Sequence, residues 1–129
     1  MDVKEFGKEL FKFEKKLREI KTIIDKKNIF YTKDIKRNGE IGFGIYKNGK
    51  PLGWFEIWFE NWAKNGDIFI FLAEDNNNPL FNKFNNPKAN EFKFPDVVYK
   101  YISLDNDMFG KSDEEKFVND FIKNVLNKC

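Results

Sequence analysis

The apolar positions of this chain change period twice. Near the start, Val3, Phe6, Leu10, Phe13, Leu17, Ile20 and Ile24 recur at alternating spacings of three and four, which lines them along one side of a helix. Asp2 and Glu5 stand where a cap for its first turn belongs. From Ile29 to Leu104 the pattern shifts to short alternating or continuous apolar runs bounded by Asn-Gly pairs, the signature of strands and tight turns. After that, Ser112-Asp-Glu-Glu115 reads as a capping box. It opens a second helix whose Phe117, Val118, Phe121, Ile122, Val125 and Leu126 form a double apolar stripe.

Within the strand region Asn48-Gly49 is the strongest turn, because a type I′ hairpin needs positive φ at both central residues. A two-residue loop carried through the whole hairpin pairs Ile45 with Leu52, Phe43 with Trp54 and Ile41 with Glu56 on one face. It sets Gly42, Gly44 and Tyr46 against Gly53, Phe55, Ile57 and Phe59 on the other. Trp54, Trp58 and Trp62 are spaced four apart, as on a helix, but the β-favouring residues between them predict a strand to about Phe59 and a short helical turn through Trp62. Asp67 to Ala73 is apolar on both faces and reads as a central strand. Val97 to Leu104 supplies another, and Ile29 to Ile35 a further one that turns at Asn38-Gly39 into the hairpin. Asn-Gly pairs at 38–39, 48–49 and 65–66 favour antiparallel connections. The expected architecture is a single α+β domain over residues 1–129: a mainly antiparallel sheet of about five strands, with a long N-terminal helix and a C-terminal helix packed on it. Between Glu74 and Pro95 the sequence reads as a long loop carrying Leu80, Phe81, Phe84, Phe92 and Phe94. A loop of that length is expected to be functional or disordered, and its rings either fold back on the core or form a contact surface.

Composition narrows the function classes. Aromatic residues make up 18% of the 129 residues, enough to fill one core without metals or disulfides. The lone Cys129 has no partner within the chain, so a reducing compartment is expected. The opening residues carry no apolar leader, and no apolar run approaches the roughly 18 residues of a membrane span. The expectation is a cytoplasmic protein without membrane association. The formal net charge of +2 hides a split, with a balance of +6 over residues 1–50 and −4 over residues 51–129. Such a split could steer a charged partner to one end.

The chain has no histidine, which rules out Ser-His-Asp and Cys-His catalysis and an H-E-x-x-H zinc site. Gly42-Phe43-Gly44 lacks the third glycine of a dinucleotide fingerprint and sits in a hairpin. Asp105-Asn-Asp107-Met-Phe-Gly110 begins like a calcium loop, but Phe109 and Lys116 break the pattern at its fifth and twelfth positions. Glu91-Phe92-Lys93 matches the three letters of a nuclease (D/E)xK element, yet it falls in the long loop and follows no partner acid on a strand. No catalytic residue, metal or cofactor is assigned. Glu56 is the unusual acid: a carboxylate among Trp54, Trp58 and Phe43 is costly unless paired or wet. It is expected at the solvent edge of its face or, alternatively, facing a ligand or a basic partner.

The run Pro51-Leu-Gly-Trp-Phe-Glu-Ile-Trp-Phe-Glu-Asn-Trp-Ala-Lys-Asn-Gly66 resembles a segment of uncharacterised bacterial proteins related to PD-(D/E)XK nucleases. Those proteins have a strand ending in a Trp-containing turn, a glycine, a second apolar strand and an acid-rich C-terminal helix. Trp62, Gly66, Ile68 to Leu72 and Ser112 to Leu126 follow that order here. The likeness spans residues 41–126 without a PD…ExK core, so it implies kinship to the non-catalytic part and a setting in restriction, phage defence or its inhibition.

Two functions follow as expectations. The first is a non-catalytic protein-binding module, a small anti-CRISPR-like inhibitor of a nuclease complex, contacting its effector through Trp54, Glu56, Trp58, Glu60, Trp62, Phe81 and Phe84, because interface anchors are enriched in aromatic residues. The second is a nucleic-acid-binding accessory domain of a restriction or defence nuclease system, using Lys33, Lys36, Arg37, Lys47 and Lys50 with exposed rings for stacking. A homodimer through the N-terminal helix is a further expectation, should that stripe serve as a seam rather than a packing face.

Overall fold

The structure, a computed structural model, describes residues 2–66, 68–74, 90–93, 98–104, 114–124 and 126–128. The first helix, α1 (Val3–Lys26), is capped as its sequence asks: the backbone N–H of Glu5 donates to Asp2 Oδ1 at 2.8 Å. Its stripe is spent on the chain's own core. Leu17, Ile20 and Ile24 are buried, Phe6 stacks on Trp62, and Phe13 meets Phe69 edge to face at 5.7 Å. Only the first member, Val3, stands out in solvent, and the rest of this face packs wholly or partly against the chain's own core.

Two hairpins follow: β1 (Tyr31–Arg37), β2 (Glu40–Lys47) and β3 (Lys50–Trp58). Gly39 (φ 88°) closes the first; Asn48 (φ 53°) and Gly49 (φ 79°) close the second, as the type I′ expectation required. The chain then turns through α2 (Phe59–Asn65) into β4 (Phe69–Glu74). The third Asn-Gly pair therefore ends a helix, with Gly66 (φ 74°) as its left-handed C-cap, instead of forming a hairpin turn. The last strands are β5 (Asn90–Lys93) and β6 (Val98–Leu104), and α3 (Glu114–Asn124) precedes a 3-10 turn at Leu126–Lys128.

Among the described residues six strands, one more than expected, form one antiparallel sheet in the order β1-β2-β3-β4-β6-β5. The additional strand is β5, which carries Glu91-Phe92-Lys93; that triplet belongs to the sheet edge rather than to a loop. As expected, β4 is central, with Phe69 through Ala73 all buried. Both long helices lie on the same face. Phe121 of α3 contacts Phe55 and Phe71 at 5.8 and 5.2 Å, and the same core holds Phe43, Ile45, Ile57 and the buried side of α1. The result is a two-layer sandwich with one main core. Among the described residues no helix is long and apolar enough to cross a membrane.

The second hairpin corrects the register drawn from its turn. Lys47 pairs Lys50 and Tyr46 pairs Pro51, as a two-residue loop demands, but Ile45 then pairs Gly53, leaving Leu52 as a bulge. Phe43 consequently faces Phe55, not Trp54, and Ile41 faces Ile57, not Glu56. Because side chains alternate, a slip of one residue exchanges the faces of everything beyond it. The slip places Phe55 and Ile57 under the helices with Phe43 and Ile45, and sends Trp54, Glu56 and Trp58 to the other side. Gly53, next to the bulge, fits a tight approach: a Cβ there would run into the ring of Phe71 and lie 2.6 Å from the Leu72 carbonyl oxygen.

Candidate interaction surface

The sheet face turned away from the helices is built in cross-strand rows. One row runs Lys33, Gly44, Trp54, Leu72 and Tyr101; the next Ile35, Gly42, Glu56, Ile70 and Ser103; the next Arg37 beside Glu40 and Trp58. The two glycines make space for the larger neighbours. A Cβ on Gly44 would lie 2.9 Å from the Tyr46 ring and 3.1 Å from the Trp54 indole, and one on Gly42 would lie 2.9 Å from Glu56 Cγ. The rings of Trp58 and Tyr101 meet at 4.8 Å although the register sets them in different rows. They reach each other by leaning across the row of Glu56 and Ile70. Glu56 is 3% exposed and Ile70 fully buried, while Trp54, Trp58 and Tyr101 remain half-buried.

Glu56 is thus not at the solvent edge. Burial pushes its carboxyl up to about 7, helped by the nearby negative charge of Glu40 and by a hydrogen bond that the protonated Glu56 donates to Glu40. The indole N–H of Trp58 and the positive charge of Arg37 act the other way and favour the charged form. Arg37 Nη1 in turn lies 3.5 Å from Glu40 Oε1. Glu56 thus holds its proton close to neutrality, with Glu40 on the neighbouring strand and the Arg37 guanidinium against Glu40. Among the described residues no group of three or more His, Cys, Asp or Glu side chains converges on a point where a metal ion would fit.

The remaining sequence-derived site residues separate. Glu60 is exposed on α2, where its carboxylate accepts a hydrogen bond from Lys64 Nζ, which holds it below the usual carboxylate range. Trp62 is in the core, stacked on Phe6 at 5.0 Å and edge to face with Phe13 at 5.4 Å, so it packs and does not line this surface. Phe81 and Phe84, the rest of the long loop around them, the Ser112 capping box and the acidic turn at 105–110 lie outside the described residues.

The five basic candidates split in three. Lys33, Lys47 and Lys50 gather at the end of the sheet that holds the β2–β3 turn. Lys36 faces the helix side, in a cleft of about 280 Å³ between α1 and the first two strands. The charges around that cleft are largely matched: Arg18 Nη2 is 2.9 Å from Glu14 Oε1 and Lys21 Nζ is 3.7 Å from Asp34 Oδ1. Arg37 occupies the opposite end of β1, tied to Glu40.

Glu40, Tyr31, Tyr46 and Tyr101 were missed as site residues. For the first three the signal existed, since a two-residue loop at Asn38-Gly39 dictates that Arg37 opposes Glu40 and Tyr31 opposes Tyr46, as found. No family model matches this chain, and no curated protein or solved structure matches it either.

Proposed function

We propose that this chain is a non-catalytic protein-binding module whose contact surface is the helix-free face of the sheet around Trp54, Trp58 and Tyr101. The observation that supports it is the gathering of these three half-buried rings on one face, resting on Ile70 and Leu72, which are already buried. Rings supported from below and exposed above are the type of side chain that anchors interfaces, because they lose little further freedom when a partner covers them. Glu60, on α2 just after β3, is exposed and paired with Lys64. Trp62 is left out of the surface because it is turned inward. The likeness seen in residues 41–126 makes a nuclease effector complex the partner class to test first, with the chain acting on it as an inhibitor.

The test is affinity capture of the tagged chain from host lysate, after nuclease treatment and at high salt, against the Trp54→Ala/Trp58→Ala double variant. A stoichiometric protein partner should be captured by the original chain and lost by a double variant whose circular dichroism shows it folded. Capture that persists on the folded variant removes this surface from consideration. If the double variant unfolds, Trp54→Ala alone and Tyr101→Ala, which leave the Glu56–Trp58 contact in place, give the same reading.

A further inference from the structure

The end of the sheet at the β2–β3 turn combines two features that the strand order alone brings together. Tyr31 and Tyr46, directly opposite each other on β1 and β2, stack at 5.2 Å with their planes 14° apart. Tyr31 is 42% exposed, and Ile29 just before it is 57% exposed. Beyond Tyr46 the aromatic surface continues over Gly44 to Trp54, since both rings lie against that bare glycine. The three rings form a shelf across the first three strands.

Lysines stand on the shelf and at the sheet end beside it: Lys33 shares the face of the rings, while Lys47 and Lys50 flank the turn on the helix-covered side. Lys33 Nζ lies 5.0 Å from the centre of the Tyr46 ring, and Lys47 Nζ lies 5.9 Å from that of Phe30. Lys50 is exposed beside Lys47 across the turn, and Lys26 and Lys27 close α1 just before Phe30. The acids closest along these elements, Asp25 and Asp34, are engaged elsewhere. Lys21 Nζ lies 3.5 Å from Asp25 and 3.7 Å from Asp34, and the Thr32 hydroxyl donates to Asp25 at 2.9 Å. Among the described residues, Asp25 and Asp34 are thus matched by Lys21 and not by Lys33, Lys47 or Lys50.

We propose that this shelf binds single-stranded nucleic acid, with a base stacked on Tyr31, the sugar-phosphate backbone beside Lys33, and its continuation rounding the sheet end past Lys47 and Lys50. Flat, half-exposed rings flanked by cations suit that polymer in particular: every base offers a face for stacking, and every link offers a phosphate. A duplex hides its bases, and a partner recognised by charge alone would not need the stacked tyrosines. The lysines also fit the role of guarding the exposed edge strand β1 against pairing, but that role asks nothing of the rings. The shelf adjoins the proposed protein-binding surface at Trp54, but its test rests on Tyr31, Lys33 and Lys50, which that surface does not use, so either can fail without the other.

The experiment is fluorescence anisotropy with a labelled oligothymidine of about 12 nucleotides, within the span one such module covers. The duplex of the same length and poly-glutamate serve as competitors. Preference for the single strand is expected, with Tyr31→Ala weakening binding about tenfold and Tyr31→Phe restoring it, as loss and return of one stacked base would. Lys33→Ala and Lys50→Ala, both at exposed positions, should each reduce the dependence of log K on log salt by about 0.7, the contribution of one single-strand phosphate. Absence of binding at low salt overturns the proposal. So does competition by poly-glutamate as strong as by the single strand, with Tyr31→Ala without effect, which would assign the end to acidic proteins. If Tyr31→Ala loses its fold by circular dichroism, Lys33→Glu with Lys50→Glu must abolish binding in its place.

Discussion

On the helix-covered face of the sheet, Phe43, Ile45, Phe55, Ile57, Phe69 and Phe71 close onto Leu17, Ile20, Ile24, Phe117 and Phe121. One residue along the same strands, the other face sets Gly42, Gly44, Glu56 and two tryptophans. The first face is a core in the ordinary sense: interchangeable apolar volumes held by burial. The second is specified pair by pair, a bare glycine beneath a ring or a carboxyl and a buried acid beside an indole N–H. A sheet can thus keep one face for stability and let the other accept groups that a core would reject, provided each such group has a particular neighbour.

The largest expected effect is on the first face. Phe55→Ala removes a fully buried ring that meets Phe43, Phe69, Phe117 and Phe121. It should lower the unfolding free energy by about 3–5 kcal/mol in urea titration. Next comes Gly42→Ala on the second face, where a methyl group would run into the Phe55 carbonyl oxygen and lie 2.7 Å from Glu56 Cα. These are backbone atoms that cannot swing aside, so a loss of about 3 kcal/mol is expected. A loss below about 1 kcal/mol would mean that this face yields as a core does, erasing the distinction.

Glu56 tests the same contrast by pH. Its carboxyl is raised from 4.5 to about 7 in the folded chain. Between these values the folded state holds a proton that the unfolded state has released, so stability is greatest below the lower value and falls as pH rises through the upper one. Glu56→Gln keeps the neutral, hydrogen-bonding shape without the charge. Thermal melts should show the variant gaining on the original chain between pH 5 and 8, by on the order of 2 kcal/mol. Parallel curves would place the carboxyl in water.

Smaller effects belong to the periphery. Asp2→Ala deletes the cap of α1 and should cost about 1 kcal/mol. Glu60→Gln breaks an exposed pair with Lys64 and should leave the melting temperature unchanged.

Much of this was written in the chain. The helical stripe of Val3 to Ile24, the Asn48-Gly49 turn and the apolar run of β4 each depend on residues adjacent in sequence, and each formed where its pattern placed it. Strand β5 was missed because Asn90-Glu-Phe-Lys93 carries only a weak strand pattern; it is a strand because β6 offers an edge to pair with. The site was less legible. Its aromatic members were visible as residues, but which shared a surface was not. Trp54, Trp58 and Trp62 look equivalent in sequence, yet two face outward from the sheet and the third is sealed beneath α1 by Phe6 and Phe13.

The sequence by itself determined the two long helices, the hairpin turns at Asn38-Gly39 and Asn48-Gly49 and the face that each helix would bury, since periodicity and turn chemistry are local properties. Only the tertiary structure decided the bulge at Leu52. A turn sets the register of the residues beside it, but whether that register persists depends on what the far strands and helices must cover. Here covering Phe55 and Ile57 together with Phe43 and Ile45 requires one residue to drop out of the ladder. That single slip moved Glu56 beneath Trp58 and Tyr101, and with it the chemistry of the whole second face.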